Sequence, residues 1–219
     1  MGTLHHILSI FTLTQSRTTN IPLFLLFQVL YVALNALALD SAEVSITTLL
    51  LQFASFFAMG GNNAMSGVDL SSAYNGISDF NVVAVGVLIF VSNWASSLWW
   101  ASAGNLLLLR SMRSIAADTT QHEQSKVAPE DKNDRTKATR GFPGQRGQWY
   151  VWRQHIGAFT VFTAASLVAV MVACTALRTH LFIWTVFSPK YLYSMAWSLG
   201  MHLGGNVAFG GFLFWLGSR

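Results

Sequence analysis

The chain has 219 residues, 53% hydrophobic and only 10% charged, where a soluble globular domain carries roughly 25% charged residues. That balance excludes an ordinary soluble domain and makes the bilayer the main solvent, since several apolar stretches reach or approach the roughly 20 residues a helix needs to cross about 30 Å of hydrocarbon. The formal net charge is +4, but the basic residues flank apolar runs and alternate with acids instead of forming a stripe, so nucleic acid is excluded as a partner.

The N-terminal stretch MGTLHHILSIFTLTQ has neither a basic leading region nor a small-residue cleavage site, and is not a secretory signal. His5 and His6 are a weak metal pair, because adjacent residues on a helix do not share a face and no carboxylate or Cys lies close in sequence. The first span is expected over 21–39, with Thr18, Thr19 and Asn20 as capping oxygens and Pro22 where its missing N–H costs least. A short turn at 40–43 leads to a second span over 44–59, which ends at Gly60-Gly61, a natural helix stop. The third, 82–109, is longer than the hydrocarbon core and must tilt or project into a headgroup layer; it carries Trp94, Trp99 and Trp100.

Charge, Pro and Gly then concentrate and apolar periodicity vanishes, so 110–153 reads as a disordered charged loop. Trp149, Tyr150 and Trp152 look like an interfacial aromatic belt leading into a fourth span over 155–177, and a fifth follows over 191–216. The expected fold is an all-α polytopic transmembrane bundle of about five spans: a region 1–109 with three, the loop 110–153, and a region 154–219 with two. Cys174 stands alone, so no intrachain disulfide can form.

Alternating five spans across the membrane puts ten of the thirteen Lys and Arg residues on one side, and only Arg17, Arg178 and Lys190 on the other. The rule that basic residues stay inside places the 110–153 loop in the cytosol. The N-terminus, the 60–81 loop and the 178–190 connection then share the lumenal face. Within the spans, Ala165, Ala169 and Ala173, and Gly200 with Gly204, have the spacing of close helix seams. Gln28, Asn35, Gln52, Asn93, Asn105, His155, His202 and Asn206 are expected chiefly to hydrogen-bond between helices, with a lipid or headgroup pathway as the alternative.

No metal-ligand spacing, nucleophile elbow, phosphate loop or dinucleotide fingerprint is present. Two loops remain as candidates. RTHLFIWTVFSPK, residues 178–190, is either an ordinary interfacial connection or a headgroup contact in which Arg178 and Lys190 bind anionic oxygens, His180 adds a polar ring and Trp184 stacks on a sugar face. The 60–81 loop brings Asn62, Asn63, Asp69, Tyr74, Asn75 and Asp79 to the same side.

RTHLFIWTVFSPKYLY resembles a late-membrane-domain signature of the ethanolamine phosphate transferases of glycosylphosphatidylinositol (GPI) anchor assembly. FFAMGGNNAMSGVDLSSAYNGISDFN, through its Gly-Asn turn, Val68-Asp69-Leu70 and Ala73-Tyr74-Asn75-Gly76, is similar to the GPI ethanolamine phosphate transferase 2 family of fungi. The likeness covers most of 21–217 outside the charged loop. It implies an endoplasmic-reticulum membrane enzyme that moves phosphoethanolamine from phosphatidylethanolamine to the second mannose of the GPI precursor, using an alkaline-phosphatase-like domain with a Thr nucleophile and zinc.

None of that domain is present in these residues, so no catalytic or metal role passes to any of them and no cofactor is expected in this chain. The expected partners are phosphatidylethanolamine, the GPI precursor, and the missing catalytic domain or other spans, the chain being a piece of a longer product. A non-enzymatic scaffold or assembly subunit remains open, as does a small transporter, although neither paired broken helices nor inverted repeats are visible.

Overall fold

The computed structural model describes residues 2–37, 39–61, 81–126, 145–180, 185 and 187–218, with the backbone alone for 115–126 and 145–146. Among the described residues every regular element is helical. They are α1 (Gly2–Thr14), a 3-10 turn at Thr18–Asn20, α2 (Ile21–Ala36), α3 (Ser41–Ala58), α4 (Val82–Asn93), α5 (Ala95–Lys126), α6 (Gln145–Ala176), α7 (Ser188–Ala196), a π-helical stretch (Trp197–Phe209) and α8 (Gly210–Gly217). Among the described residues four segments are long and apolar enough to cross a membrane: Thr18–Ala36, Ser41–Ala58, Gly147–Ala176 and Ser188–Gly217. Counting the bent pair α4 and α5 makes five. The all-helical bundle of about five spans is what composition and periodicity led one to expect.

Local chemistry explains most helix ends. Pro22 sits in the first turn of α2, where a missing N–H costs nothing. Thr18–Asn20 form the 3-10 turn in place of a side-chain cap, and the Asn20 amide instead reaches across to donate to the Met59 carbonyl at 3.4 Å. At the start of α3 the Asp40 N–H donates to Glu43 Oε2 at 3.0 Å, satisfying one of the donors a helix start leaves over. Gly60 ends α3 with φ +84°, a conformation that only glycine adopts cheaply.

Three boundaries differ from expectation. The third span is not continuous: it breaks at Trp94, where α4 and α5 meet at 70°. No Pro or Gly marks the break; Asn93 donates to the Tyr193 hydroxyl at 3.2 Å and Trp94 packs against Tyr193 and Trp197, so the bend answers to α7 and the π stretch. Second, α5 continues to Lys126 and α6 already begins at Gln145, so helix occupies both flanks of the 110–153 segment, and 127–144 lie outside the described residues. Arg, Lys, Gln, Glu and Ala are good helix formers; charge ended the apolar signal without ending the helix. Third, α1 folds back along α5, with His5 Nδ1 3.0 Å from Ser102 Oγ and Trp99 Nε1 donating to Ser9 Oγ at 2.8 Å. The turn at 15–17, and not Gly2, therefore lies beside the end of α3.

The bundle is organised around α5, whose Ala95, Ser96, Ser97, Ala101, Ser102, Ala103 and Gly104 are all buried. Small residues let backbones approach closely in lipid, where no hydrophobic force pulls helices together. A Cβ at Gly104 would collide with Thr48 of α3. The π stretch and α8 approach α5 in the same way: a Cβ at Gly205 would stand 3.2 Å from Leu98 Cδ2, and one at Gly210 3.2 Å from Asn105 Nδ2. The seams expected from spacing alone fall elsewhere. Ala165 and Ala169 are exposed, and Gly204 faces open space apart from the Leu199 carbonyl; Gly200 does meet Phe90 of α4.

Polar side chains join the helices at depth. Gln52 of α3 and Asn206 of the π stretch exchange two amide hydrogen bonds, at 2.8 and 3.2 Å, and Ser97 Oγ donates to the Gln52 carbonyl at 3.1 Å. Asn105 donates to the Gly210 carbonyl at 3.3 Å. His155 Nδ1 shares a hydrogen bond with Ser45 Oγ at 2.9 Å, and His202 Nε2 one with Thr160 Oγ1 at 3.0 Å. The interhelical role expected of Gln52, Asn93, Asn105, His155, His202 and Asn206 is the observed one, whereas Asn35, expected to act likewise, has its Oδ1 buried without a partner among the described residues.

Truncating one member of the amide pair leaves the other unsatisfied where no water can replace it. Gln52→Leu is expected to cost about 1–2 kcal/mol and Gln52→Leu with Asn206→Leu markedly less than the two single changes summed, measured by unfolding in mixed micelles. By the same assay Gly104→Ala should destabilise through the Thr48 clash, whereas Gly204→Ala should be tolerated.

Candidate lipid-contact site

Lys190 stands in the first turn of α7, where Pro189 opens the helix and Ser194 Oγ donates to the Lys190 carbonyl at 2.8 Å. Ser198 repeats the pattern one turn on, donating to the Ser194 carbonyl at 2.8 Å. Residues four apart share a helix face, so Lys190, Ser194 and Ser198 form one polar line. Opposite them, α3 presents Phe53 and Phe57 and α6 presents Phe162, Thr163, Ser166, Leu167 and Val170; Tyr193 and Trp197 complete the walls.

Together these groups enclose a cavity of about 250 Å³ that opens to the outside of the bundle. Its aromatic wall is rigid, with Phe53 centred 4.5 Å from Trp197 and 4.9 Å from Phe162. Among the described residues Lys190 is the one charged group in the lining, and it is itself exposed. An ammonium at the mouth, hydroxyls along one wall and hydrocarbon and aromatic faces elsewhere match an amphiphile with an anionic oxygen above and an apolar chain below.

Of the candidate residues in the late connection, Lys190 enters this cavity. Arg178 and His180 are exposed beyond the end of α6, where the His180 N–H donates to the Leu177 carbonyl at 2.9 Å, and neither lines it. Trp184, together with Asn62, Asn63, Asp69, Tyr74, Asn75 and Asp79, lies outside the described residues. The two flanking helix ends do come together: Phe57, in the last turn of α3, and Lys190 line the same cavity. Cys174 ties α6 back to the connection through a long contact, 3.9 Å, to the Phe187 carbonyl.

The aromatic and hydroxyl walls escaped the sequence reading, although the four-residue spacing of Phe53 with Phe57 and of Lys190 with Ser194 and Ser198 was the signal that could have found them. Spacing shows that residues share a face; it does not show which neighbouring helix that face meets. Among the described residues no three His, Cys, Asp or Glu side chains gather as a metal site would require.

Comparison with known proteins agrees with this membrane-embedded reading. A family model described as the GPI ethanolamine phosphate transferase membrane region matches residues 1–219. Similar curated proteins are the GPI ethanolamine phosphate transferase 2 of Aspergillus oryzae, 42% identical over 93% of this chain and 20% of that protein, and that of Aspergillus fumigatus, 45% identical over 86% and 20%. The protein of the same name from Yarrowia lipolytica is 37% identical over 90% of the chain and 24% of its own length. No solved structure matches. The chain spans about a fifth of the length of these relatives, and over its whole length it belongs to the GPI ethanolamine phosphate transferase membrane-region family.

Proposed function

We propose that this chain is a membrane region that holds a lipid-linked substrate for phosphoethanolamine transfer from phosphatidylethanolamine to the second mannose of the GPI precursor, in the endoplasmic-reticulum membrane. The observation that carries the reading is the aromatic-walled cavity with Lys190 at its mouth. In it the Lys190 ammonium would meet a lipid phosphate while an acyl chain lies between Phe53, Phe162 and Trp197. Bond making and breaking, with the zinc it needs, would be supplied by a catalytic domain of the enzyme outside these residues.

The direction of the bundle supports the same reading. Arg110 and Arg113, midway along α5, and Arg153, near the start of α6, lie toward the end of the bundle opposite the cavity, since α3, α5 and α6 have their 45, 107–112 and 152–155 portions together. With basic residues retained on the cytosolic side, the cavity, the 60–81 loop, the turn at 15–17 and the 178–190 connection face the lumen, and 110–153 faces the cytosol. Arg178 and His180, exposed just beyond α6, would then meet headgroup or glycan phosphates at the lumenal rim, together with Trp184 and the polar residues of the 60–81 loop.

A second reading, a non-catalytic assembly subunit, is favoured by one feature. The outward row of Ala165 and Ala169 on α6 is the kind of small-residue surface on which further spans dock.

A chimera in which this chain replaces the matching region of the Aspergillus oryzae relative should transfer phosphoethanolamine to GPI precursors. In that chimera Lys190→Ala is expected to lower transfer about tenfold, the loss of one charge-assisted hydrogen bond, and Lys190→Arg to keep most of it, at equal protein level. Ser166→Trp, which fills the cavity, should lower transfer as well. Undiminished transfer by both Lys190→Ala and Ser166→Trp would remove the substrate-holding role and leave the assembly reading.

A further inference from the structure

At the opposite end of the helices lies a second cavity, of about 240 Å³, between the C-terminal end of α2, the start of α3 and the middle of α5. Its lining divides by chemistry. Leu34, Leu39, Val44 and Leu107 make the apolar part, and Asn35, Arg110, Ser111 and Ser114 the polar part. Two of these polar groups are buried without a hydrogen-bond partner among the described residues, and Ser111 Oγ is the one hydroxyl among the ten side-chain atoms so placed. Ser111 is only 6% exposed and its Oγ has no hydrogen-bond partner among the described residues, and Asn35 Oδ1 is likewise buried and unpaired. A bound phosphate oxygen can accept from the Ser111 hydroxyl and recover the cost of its burial; Asn35 Oδ1 is itself an acceptor and takes no bond from a phosphodiester.

The surroundings set the depth. Tyr31 and Trp149 pack on the cluster of Val44, Leu107, Leu108, Leu109, Met112, Trp152 and Phe214 beside the cavity, and Tyr150 is exposed nearby on α6. This is the aromatic band of a membrane–water interface. Arg113 donates to the Gly217 carbonyl at 3.4 Å, closing α8 at the same level. Above the cavity α5 turns polar; below it the outer face of α2 shows Leu25, Val29 and Val32 to the hydrocarbon. The cavity therefore sits at headgroup depth, with a lane for acyl chains leading down from it.

We propose that this cavity seats the phosphodiester of a membrane glycerophospholipid, with the Arg110 guanidinium on the phosphate oxygens, Ser111 donating to them, and the acyl chains laid along α2. A planar guanidinium with a hydroxyl beside it is the donor set that fits a phosphate. Its volume takes a headgroup and not a whole lipid. Asp40 and Glu43 at the neighbouring start of α3 outnumber the single Arg of the lining, so each further phosphate charge is opposed and a singly charged phosphodiester is the better fit. The bound lipid would brace the α2–α3 hairpin against α5. The proposal requires only that the bundle sits in a bilayer; it does not depend on the Lys190 cavity or on phosphoethanolamine transfer.

The test is lipid retention by the full chain carrying Lys190→Ala, so that the other cavity does not contribute, purified in mild detergent, supplied with dioleoylphosphatidylglycerol or dioleoylphosphatidylethanolamine and weighed by native mass spectrometry. One phospholipid should stay bound per chain. Adding Arg110→Ala should lower the retained fraction about tenfold at unchanged helicity, Arg110→Lys should restore part of it, and Arg153→Ala, exposed at the same level but not in the lining, should leave it unchanged. Equal retention with Arg110→Ala, or equal loss with Arg153→Ala, would overturn the site. Displacement of the lipid by excess inorganic phosphate would identify free phosphate as the ligand and overturn the lipid assignment.

Discussion

Everything in this bundle hangs on how closely α3 can approach α5. In lipid the apolar surfaces of helices gain little by leaving their surroundings, so association depends on van der Waals contact and hydrogen bonds between backbones brought near each other. The run of Ala, Ser and Gly residues on α5, with Gly104 set against Thr48, makes that approach possible. Once α3 is close, Ser97 reaches the Gln52 carbonyl and Gln52 is held where Asn206 can complete a two-bond amide pair. The last membrane segment is thereby locked to the second and third.

That lock determines the shape of both cavities. Because α3 is seated on α5, its C-terminal Phe53 and Phe57 project toward α6 and α7 and close one side of the Lys190 cavity. Its N-terminal end, with Val44, closes the Arg110 cavity against α2. The π-helical stretch has a related role. Its Gly210 N–H donates back five residues to the Gly205 carbonyl, and such widened turns, uncommon and often found at functional sites, present Trp197 to the cavity while Gly205 and Gly210 lie against α5. The bundle thus has a cation at the border of a cavity toward each end of the same helices, Lys190 at one and Arg110 at the other.

Much was legible in the linear pattern. The number of spans followed from run lengths, the stop at Gly60 from its chemistry, and the interhelical role of Gln52, Asn105, His155, His202 and Asn206 from the cost of an unpaired polar group in hydrocarbon. Two local motifs were enough to suggest the family. Less legible were the breaks and seams. Trp94 interrupts a hydrophobic run that has no breaker residue, because the cause is Tyr193, a hundred residues away. The Ala165, Ala169, Ala173 spacing looked like a packing seam, but the first two of these face outward, and the true seam of α5 mixes Ala, Ser and Gly without a fixed period.

The amino-acid sequence by itself determined that this is a membrane-embedded helical chain, about how many spans it has, and which side chains are too polar to stand alone in a bilayer, because those properties depend on composition and local spacing. Only the tertiary structure decided which polar groups pair, where the third span bends, and that Lys190 and Arg110 each border a cavity. Those outcomes rest on close contact between residues from 42 to 154 positions apart, and a linear pattern carries no measure of which helix faces will meet.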